Sequence, residues 1–141
     1  MRTSNKIHSV RRLLLVDDDY TFAQVAARSL TRRGFEVVVA NDTDSALNLA
    51  NSDIDYAIVD LVLGNASGLQ LLSPLKTRNH AMRILVLSGY ASTETIANAI
   101  GLGATCYLAK PVGADEIVAA LMDFSVDSYA LAEPNASCSQ P

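Results

Sequence analysis

The run Tyr56-Ala57-Ile58-Val59 ends in a carboxylate, Asp60, and this pairing limits the folds open to the chain more than any other feature. Four apolar or aromatic residues without a turn signal, preceded by polar Asn51-Ser52-Asp53, read as a buried central strand. A carboxylate at the end of such a strand needs a helix N-terminus, a cation or a chemical role. Three other runs end in polar groups. Leu13-Leu14-Leu15-Val16 meets Asp17-Asp18-Asp19, Ile84-Leu85-Val86-Leu87 meets Ser88, and Cys106-Tyr107-Leu108-Ala109 meets Lys110. In an open parallel sheet all strand carboxyl ends share one edge, and ligands bind there. Carboxylates, a hydroxyl and an ammonium are therefore expected to converge.

Between these runs the chain reads as helices. Phe22, Val25, Ala26, Ser29 and Leu30 fall at helical spacing, with Gly34 as the stop. Glu36–Ala40 reads as the second strand, and Asn41-Asp42-Thr43 offers caps for a helix with Ala46, Leu47 and Ala50 inward. Leu61 to Ser67 reads as a loop in which Gly64 and Gly68 mark positive φ or close backbone approach. A short helix with Leu69, Leu72 and Leu75 follows, then one through Ile100 closed by Gly101 and Gly103. After Lys110-Pro111 a last helix buries Ala114, Ile117, Val118 and Leu121. Five strands alternating with five helices require right-handed crossovers: an α/β fold with a doubly wound, five-stranded parallel sheet in the order 2-1-3-4-5. This pattern makes one domain over residues 11–125, with disordered ends expected at 1–10 and 126–141.

Length and charge narrow the functional classes. At 141 residues the chain suits one domain with a single core. The net charge is −4 and the basic residues are scattered apart from Arg11-Arg12 and Arg32-Arg33, which is not the basic face of a nucleic-acid binder. No run reaches membrane-spanning length and the N-terminus is no signal peptide, so a cytoplasmic location is expected. Two cysteines make no disulfide framework, and Cys106 in a core strand is not expected to pair with Cys138 in a polar tail.

Singly, each polar ending has an ordinary explanation. An aspartate or serine after a strand caps the next helix, and a lysine before proline is a solvated turn. Together they require three carboxylates, a hydroxyl and a lysine on one edge. Adjacent carboxylates repel unless a cation joins them or protons are retained. Oxygen donors without nearby His or Cys favour a hard cation, most simply Mg²⁺. Such an ion leaves room for a phosphoryl group, and a carboxylate can be the nucleophile that receives it.

On these residues the chain resembles a response-regulator receiver domain from about Leu13 to Leu121. The match rests on Asp17 and Asp18 after strand one, Asp60 ending strand three, Ser88 after strand four, Tyr107 within strand five, and Lys110-Pro111. The loop from Asp60 to Gly68 keeps the family's spacing, with Gly64 where many members have proline. The Ser88-Gly89-Tyr90 stretch is similar to receivers of the proteobacterial redox-responsive regulators.

The resemblance implies that Asp60 takes phosphate from a histidine kinase or phosphotransfer protein. It implies that Asp18, Asp60 and the Val62 carbonyl ligate Mg²⁺, with Asp17 acting through water. Lys110 would bond the phosphoryl oxygens, Ser88 would move to meet them, and Tyr107 would swing inward with Ser88. The Lys110-Pro111 bond is implied to be cis. Output would pass to a protein partner through the helix 4–strand 5–helix 5 face, without direct nucleic-acid contact, and a phosphorylation-dependent dimer is compatible with it. Catalysis would be confined to the chain's own phosphorylation and dephosphorylation. Asp19 is assigned to the first helix N-terminus.

Two rivals stand beside this reading. Asp17-x-Asp19-x-Thr21 also fits the first motif of haloacid-dehalogenase-like phosphatases, with Ser88 and Lys110 as the next two. Those enzymes need a later acidic pair, whereas here Asp60 precedes the serine and nothing suitable follows Lys110. The other rival keeps the receiver as a fragment of a DNA-binding transcription regulator, although no second helical domain follows here.

Overall fold

Alternate residues of each central strand are apolar on both faces, so the sheet must be covered on both sides. The computed structural model, which describes residues 11–123, has this arrangement. The strands are β1 (Arg11–Val16), β2 (Phe35–Ala40), β3 (Tyr56–Asp60), β4 (Arg83–Ser88) and β5 (Cys106–Ala109). All pair in parallel, in the order β2-β1-β3-β4-β5. The helices are α1 (Tyr20–Arg32), α2 (Thr43–Leu49), α3 (Leu69–Arg78), α4 (Thr93–Gly101) and α5 (Ala114–Met122).

The period-two pattern sorts the core into two layers. Leu13, Leu15, Ile58, Leu85 and Leu87 face α1 and α5, against Ala23, Ala26, Leu30, Ile117, Ala120 and Leu121. Leu14, Val16, Ala57, Val59, Ile84 and Val86 face the other way, against α2, α3 and α4 through Ala46, Leu71, Leu72, Leu75, Ile96 and Ala99. Each fully buried leucine contributes roughly 1.5–3 kcal/mol relative to exposure. The strand order reverses between β1 and β3, which opens a crevice beyond their carboxyl ends. Register places the polar endings there: Val16 lies beside Val59, Asp60 beside Leu87, and Ser88 beside Ala109.

Several local readings differ from the sequence expectation. Val25 is exposed; α1 instead buries Leu30 with Ala23 and Ala26, whose small side chains admit the helix close to the sheet. Ala114 and Val118 are only half-buried, and Ala120 takes the inner position in α5. The expected loop from Leu61 to Ser67 holds a two-stranded antiparallel hairpin, Val62–Leu63 with Ala66–Ser67, turning at Gly64 with φ +60°. The fourth strand begins at Arg83, which is buried and donates from Nε to the Leu121 carbonyl (2.9 Å) and from Nη2 to that of Asp123 (2.8 Å). It thereby ties β4 to the end of α5. Cys106 is in a disulfide, where the sequence reading left it unpaired; Cys138 lies outside the described residues. So do the two ends expected to be disordered and the domain boundary at 125. Among the described residues no helix is long and apolar enough to cross a membrane.

Asp42 caps α2 as its residue type suggests, accepting the Ser45 N–H at 2.8 Å. That backbone hydrogen bond holds its carboxyl below the ordinary 3.8. The cap's contribution is therefore complete above the unfolded value and is lost as pH falls through the lower folded one. Asp42→Ala is expected to melt below the wild type at pH 7, with the gap narrowing below pH about 4 in a series of thermal scans.

Candidate functional site

The ends of β1, β3 and β5 bring one ammonium between two carboxylates. Lys110 Nζ donates to Asp17 Oδ2 and to Asp60 Oδ2, each at 2.8 Å. The remaining oxygens are also engaged: Asp17 Oδ1 accepts the Asp19 N–H and Asp60 Oδ1 accepts the Val62 N–H, both at 2.9 Å. Asp17 and Asp60 are buried, while Asp18 is exposed beside them. One carboxylate oxygen from each of Asp17, Asp18 and Asp60 lies within 4.8 Å of the others. Burial separates the acidic pair, with Asp17 inside and Asp18 exposed.

Charge in this pocket is uneven. Burial raises the Asp17 pKa, and the hydrogen bonds from Lys110 and the Asp19 N–H only partly oppose it. Burial also disfavours the Lys110 ammonium, but its hydrogen bonds to Asp17 and Asp60 outweigh that and leave its pKa above the ordinary lysine value. The two upward shifts have different causes, desolvation at Asp17 and the paired carboxylates at Lys110. Three carboxylates against one ammonium leave two uncompensated negative charges. A divalent cation would balance them, and an all-oxygen donor set suits a hard one. The residues therefore fit such an ion.

Asp19 stands apart from this group. Its Oδ1 accepts the Phe22 N–H at 3.1 Å, which makes it the N-cap of α1. Ser88 is buried and turned to its own loop, donating to the Tyr90 carbonyl (2.9 Å) and accepting the Tyr90 N–H (3.3 Å). Tyr107 is already buried, and burial lifts its phenol above the usual value. Val62 and Tyr90, two residues after Asp60 and Ser88 in the sequence, are 60% and 83% exposed. The Lys110-Pro111 bond is cis.

Two further residues shape the site. Phe22 read as part of a helical apolar stripe, but its ring lies over Lys110 Nζ, 4.4 Å from the centroid. Gly68 marks close approach or positive φ in the sequence, and the structure shows the former. Its φ is −62°, and an added Cβ would collide with the Asp60 carbonyl oxygen.

Residues 13–122 match the family model of the response regulator receiver domain. The acid tolerance regulatory protein ActR of Sinorhizobium medicae is 41% identical over 113 residues, covering 79% of this chain and 58% of ActR. The photosynthetic apparatus regulatory protein RegA of Rhodobacter capsulatus is 38% identical over 118 residues, covering 83% and 64%. The chain thus spans less than two thirds of the length of these curated relatives. Among solved structures, a response regulator protein from Burkholderia pseudomallei, with a phosphorylated aspartic acid, calcium ion and citrate, superposes with TM-score 0.76 and 46% identity, covering 79% of this chain and 66% of that one. A CheY-like receiver domain from Methanospirillum hungatei JF-1 gives 0.73 and 28%, covering 78% and 89%.

Proposed function

Since this chain belongs to the response regulator receiver family, we propose that it is a phosphorylation switch whose acceptor is Asp60. The observation that carries this reading is the Lys110 ammonium held 2.8 Å from both Asp60 and Asp17 at the carboxyl edge of the sheet. Family membership sets aside the haloacid-dehalogenase-like alternative.

In the reaction, a carboxylate oxygen of Asp60 attacks the phosphorus of a phosphohistidine on a histidine kinase or phosphotransfer protein. The O–P bond forms as the P–N bond breaks, and the imidazole nitrogen keeps the electron pair and takes up a proton. Lys110 exchanges Asp17 for a phosphoryl oxygen while staying beside Asp60, so positive charge is already in place where negative charge arrives. Ser88 gives up the Tyr90 carbonyl to donate to another phosphoryl oxygen. Asp18, Asp60 and the Val62 carbonyl, with Asp17 acting through water, would hold a divalent cation such as Mg²⁺, which would neutralise charge on the transferred group. The chain catalyses only its own phosphorylation and dephosphorylation.

A phosphoryl group signals only by favouring one of two surface conformations through differential contact. Ser88 and Lys110 make better contacts with it in the active state. Their movement reshapes the face built from α4, β5 and α5, with Tyr107 among the residues that respond. That face meets a downstream protein partner, and the switch works in the cytoplasm. A second reading, the receiver portion of a DNA-binding transcription regulator, is supported by the 58% and 64% coverage of ActR and RegA.

The test is labelling with acetyl phosphate in Mg²⁺, with the modified residue mapped by mass spectrometry, followed by capture of partners with a phosphate mimic. A modification that maps away from Asp60 sinks the reading. The exposed side chains of Val62 and Tyr90 bear on lifetime, because bulk at the mouth hinders water from reaching the acyl phosphate in line. Replacing both with serine is expected to shorten the lifetime of labelled protein severalfold. Decay at the wild-type rate removes that role.

A further inference from the structure

We propose that Phe22 is a positioning residue, the face of whose ring holds the Lys110 ammonium over Asp17 and Asp60. This inference rests on the reading of Asp60 as acceptor. A lysine ends in a point charge on a flexible four-carbon stem, so something must fix its head for it to serve two carboxylates at once. Two sides of the ammonium are bonded at 2.8 Å. A third is covered by the Phe22 ring, with its centroid 4.4 Å from Nζ. That is well inside the range at which an aromatic quadrupole attracts a cation. The Phe22 side chain is half-buried against the α1-side core, so the ring has little room to move.

The backbone links the ring to the acidic triplet. The Phe22 N–H bonds Asp19 Oδ1, and the Asp19 N–H bonds Asp17 Oδ1. Asp17, the α1 cap and the aromatic ring thus form one connected unit. Asp19 gains a purpose that its absence from the three-carboxylate group does not suggest. The kind of attraction matters as well. When a phosphoryl group joins Asp60, the ammonium must leave Asp17 for a phosphoryl oxygen. A third hydrogen-bond acceptor would bind it in one direction and oppose the turn. A ring face attracts charge with weak directional preference, so it keeps the ammonium at the pocket while letting it rotate.

The test uses the full chain with Phe22 replaced by mono-, di- and trifluorophenylalanine, by Phe22→Tyr and by Phe22→Leu. Fluorination keeps the ring's shape and drains its face of negative potential, so packing alone predicts no trend. The rate constant for labelling of Asp60 by acetyl phosphate in Mg²⁺ is expected to fall stepwise. It should reach a loss of about five- to tenfold in the trifluoro and leucine forms, with tyrosine near the wild type. A second readout needs neither donor nor metal: the Lys110 ε-methylene protons should show an upfield ring-current shift in the wild type that Phe22→Leu abolishes. One unchanged rate across the series, or Lys110 protons without that shift, overturns the proposal. If Asp60 of the wild type is not labelled at all, the acceptor reading fails and this inference falls with it.

Discussion

Asp60→Asn should leave the chain folded and abolish its labelling by acetyl phosphate in Mg²⁺. The amide has nearly the shape of the carboxylate, and its oxygen can still accept the Val62 N–H now bonded to Oδ1 at 2.9 Å. Lys110 keeps its bond to Asp17, so the half-buried ammonium is not stranded. What the substitution removes is the nucleophile, because a neutral amide oxygen does not form a stable ester with the phosphoryl group. The expected loss is complete, to the background of the mass measurement, rather than a graded slowing. Asp60→Ala would be a poorer probe, since it also deprives Val62 and Lys110 of a partner and mixes a folding cost with the chemical one. Undiminished labelling of Asp60→Asn at another residue would refute the assignment.

Why Asp60 could be found from sequence is a matter of cost. A carboxylate closing a fully apolar strand is expensive unless something offsets it, so its presence is informative. The same reasoning reached Asp17, Ser88 and Lys110, and the two-residue period of the strands set which core layer each apolar residue joins. Rotation about a helix axis is less constrained. Val25 and Ala23 both fit an apolar stripe with Ala26 and Leu30, and only tertiary packing chose Ala23. The hairpin after β3 does carry a signal, the Gly64-Asn65 pair at the centre of a two-residue turn.

Arg83, Phe22 and Gly68 are harder cases. Their partners lie 38 residues away for the Arg83–Leu121 bond, on another element for Phe22 and Lys110, and on the preceding strand for Gly68. Glycine at 68 signals a close approach without naming the neighbour, and the types of Arg83 and Phe22 say little about theirs. The chemistry of the pocket was therefore legible, and the side chains that hold it in shape were not.

Gly68→Ala tests one of those supports and should be the most destabilising small substitution at the site. Gly68 has ordinary right-handed helical angles, φ −62° and ψ −19°, so alanine meets no backbone penalty there. The obstacle is space. A Cβ would collide with the Asp60 carbonyl oxygen and lie 2.9 Å from both the Asp60 carbonyl carbon and Val59 Cγ1. Val59 is fully buried, and the Gly68 N–H is bonded to the Leu61 carbonyl at 2.9 Å, so neither side yields easily. Relief requires moving the end of β3, and Asp60 with it, or lifting α3 and the buried Leu71, Leu72 and Leu75 from the core. A cost of about 3 kcal/mol follows from forced overpacking against backbone. For a domain of this size that lowers the melting temperature by roughly 10 °C. Labelling of Asp60 should slow as well, since its bond to Lys110 depends on where β3 ends. Gly101→Ala supplies the contrast: its Cβ meets nothing within 4 Å at the last residue of α4, and the change should stabilise the chain by about 0.5 kcal/mol. If both variants melt with the wild type and label at its rate, the contact between Gly68 and the Asp60 backbone is not what positions the acceptor.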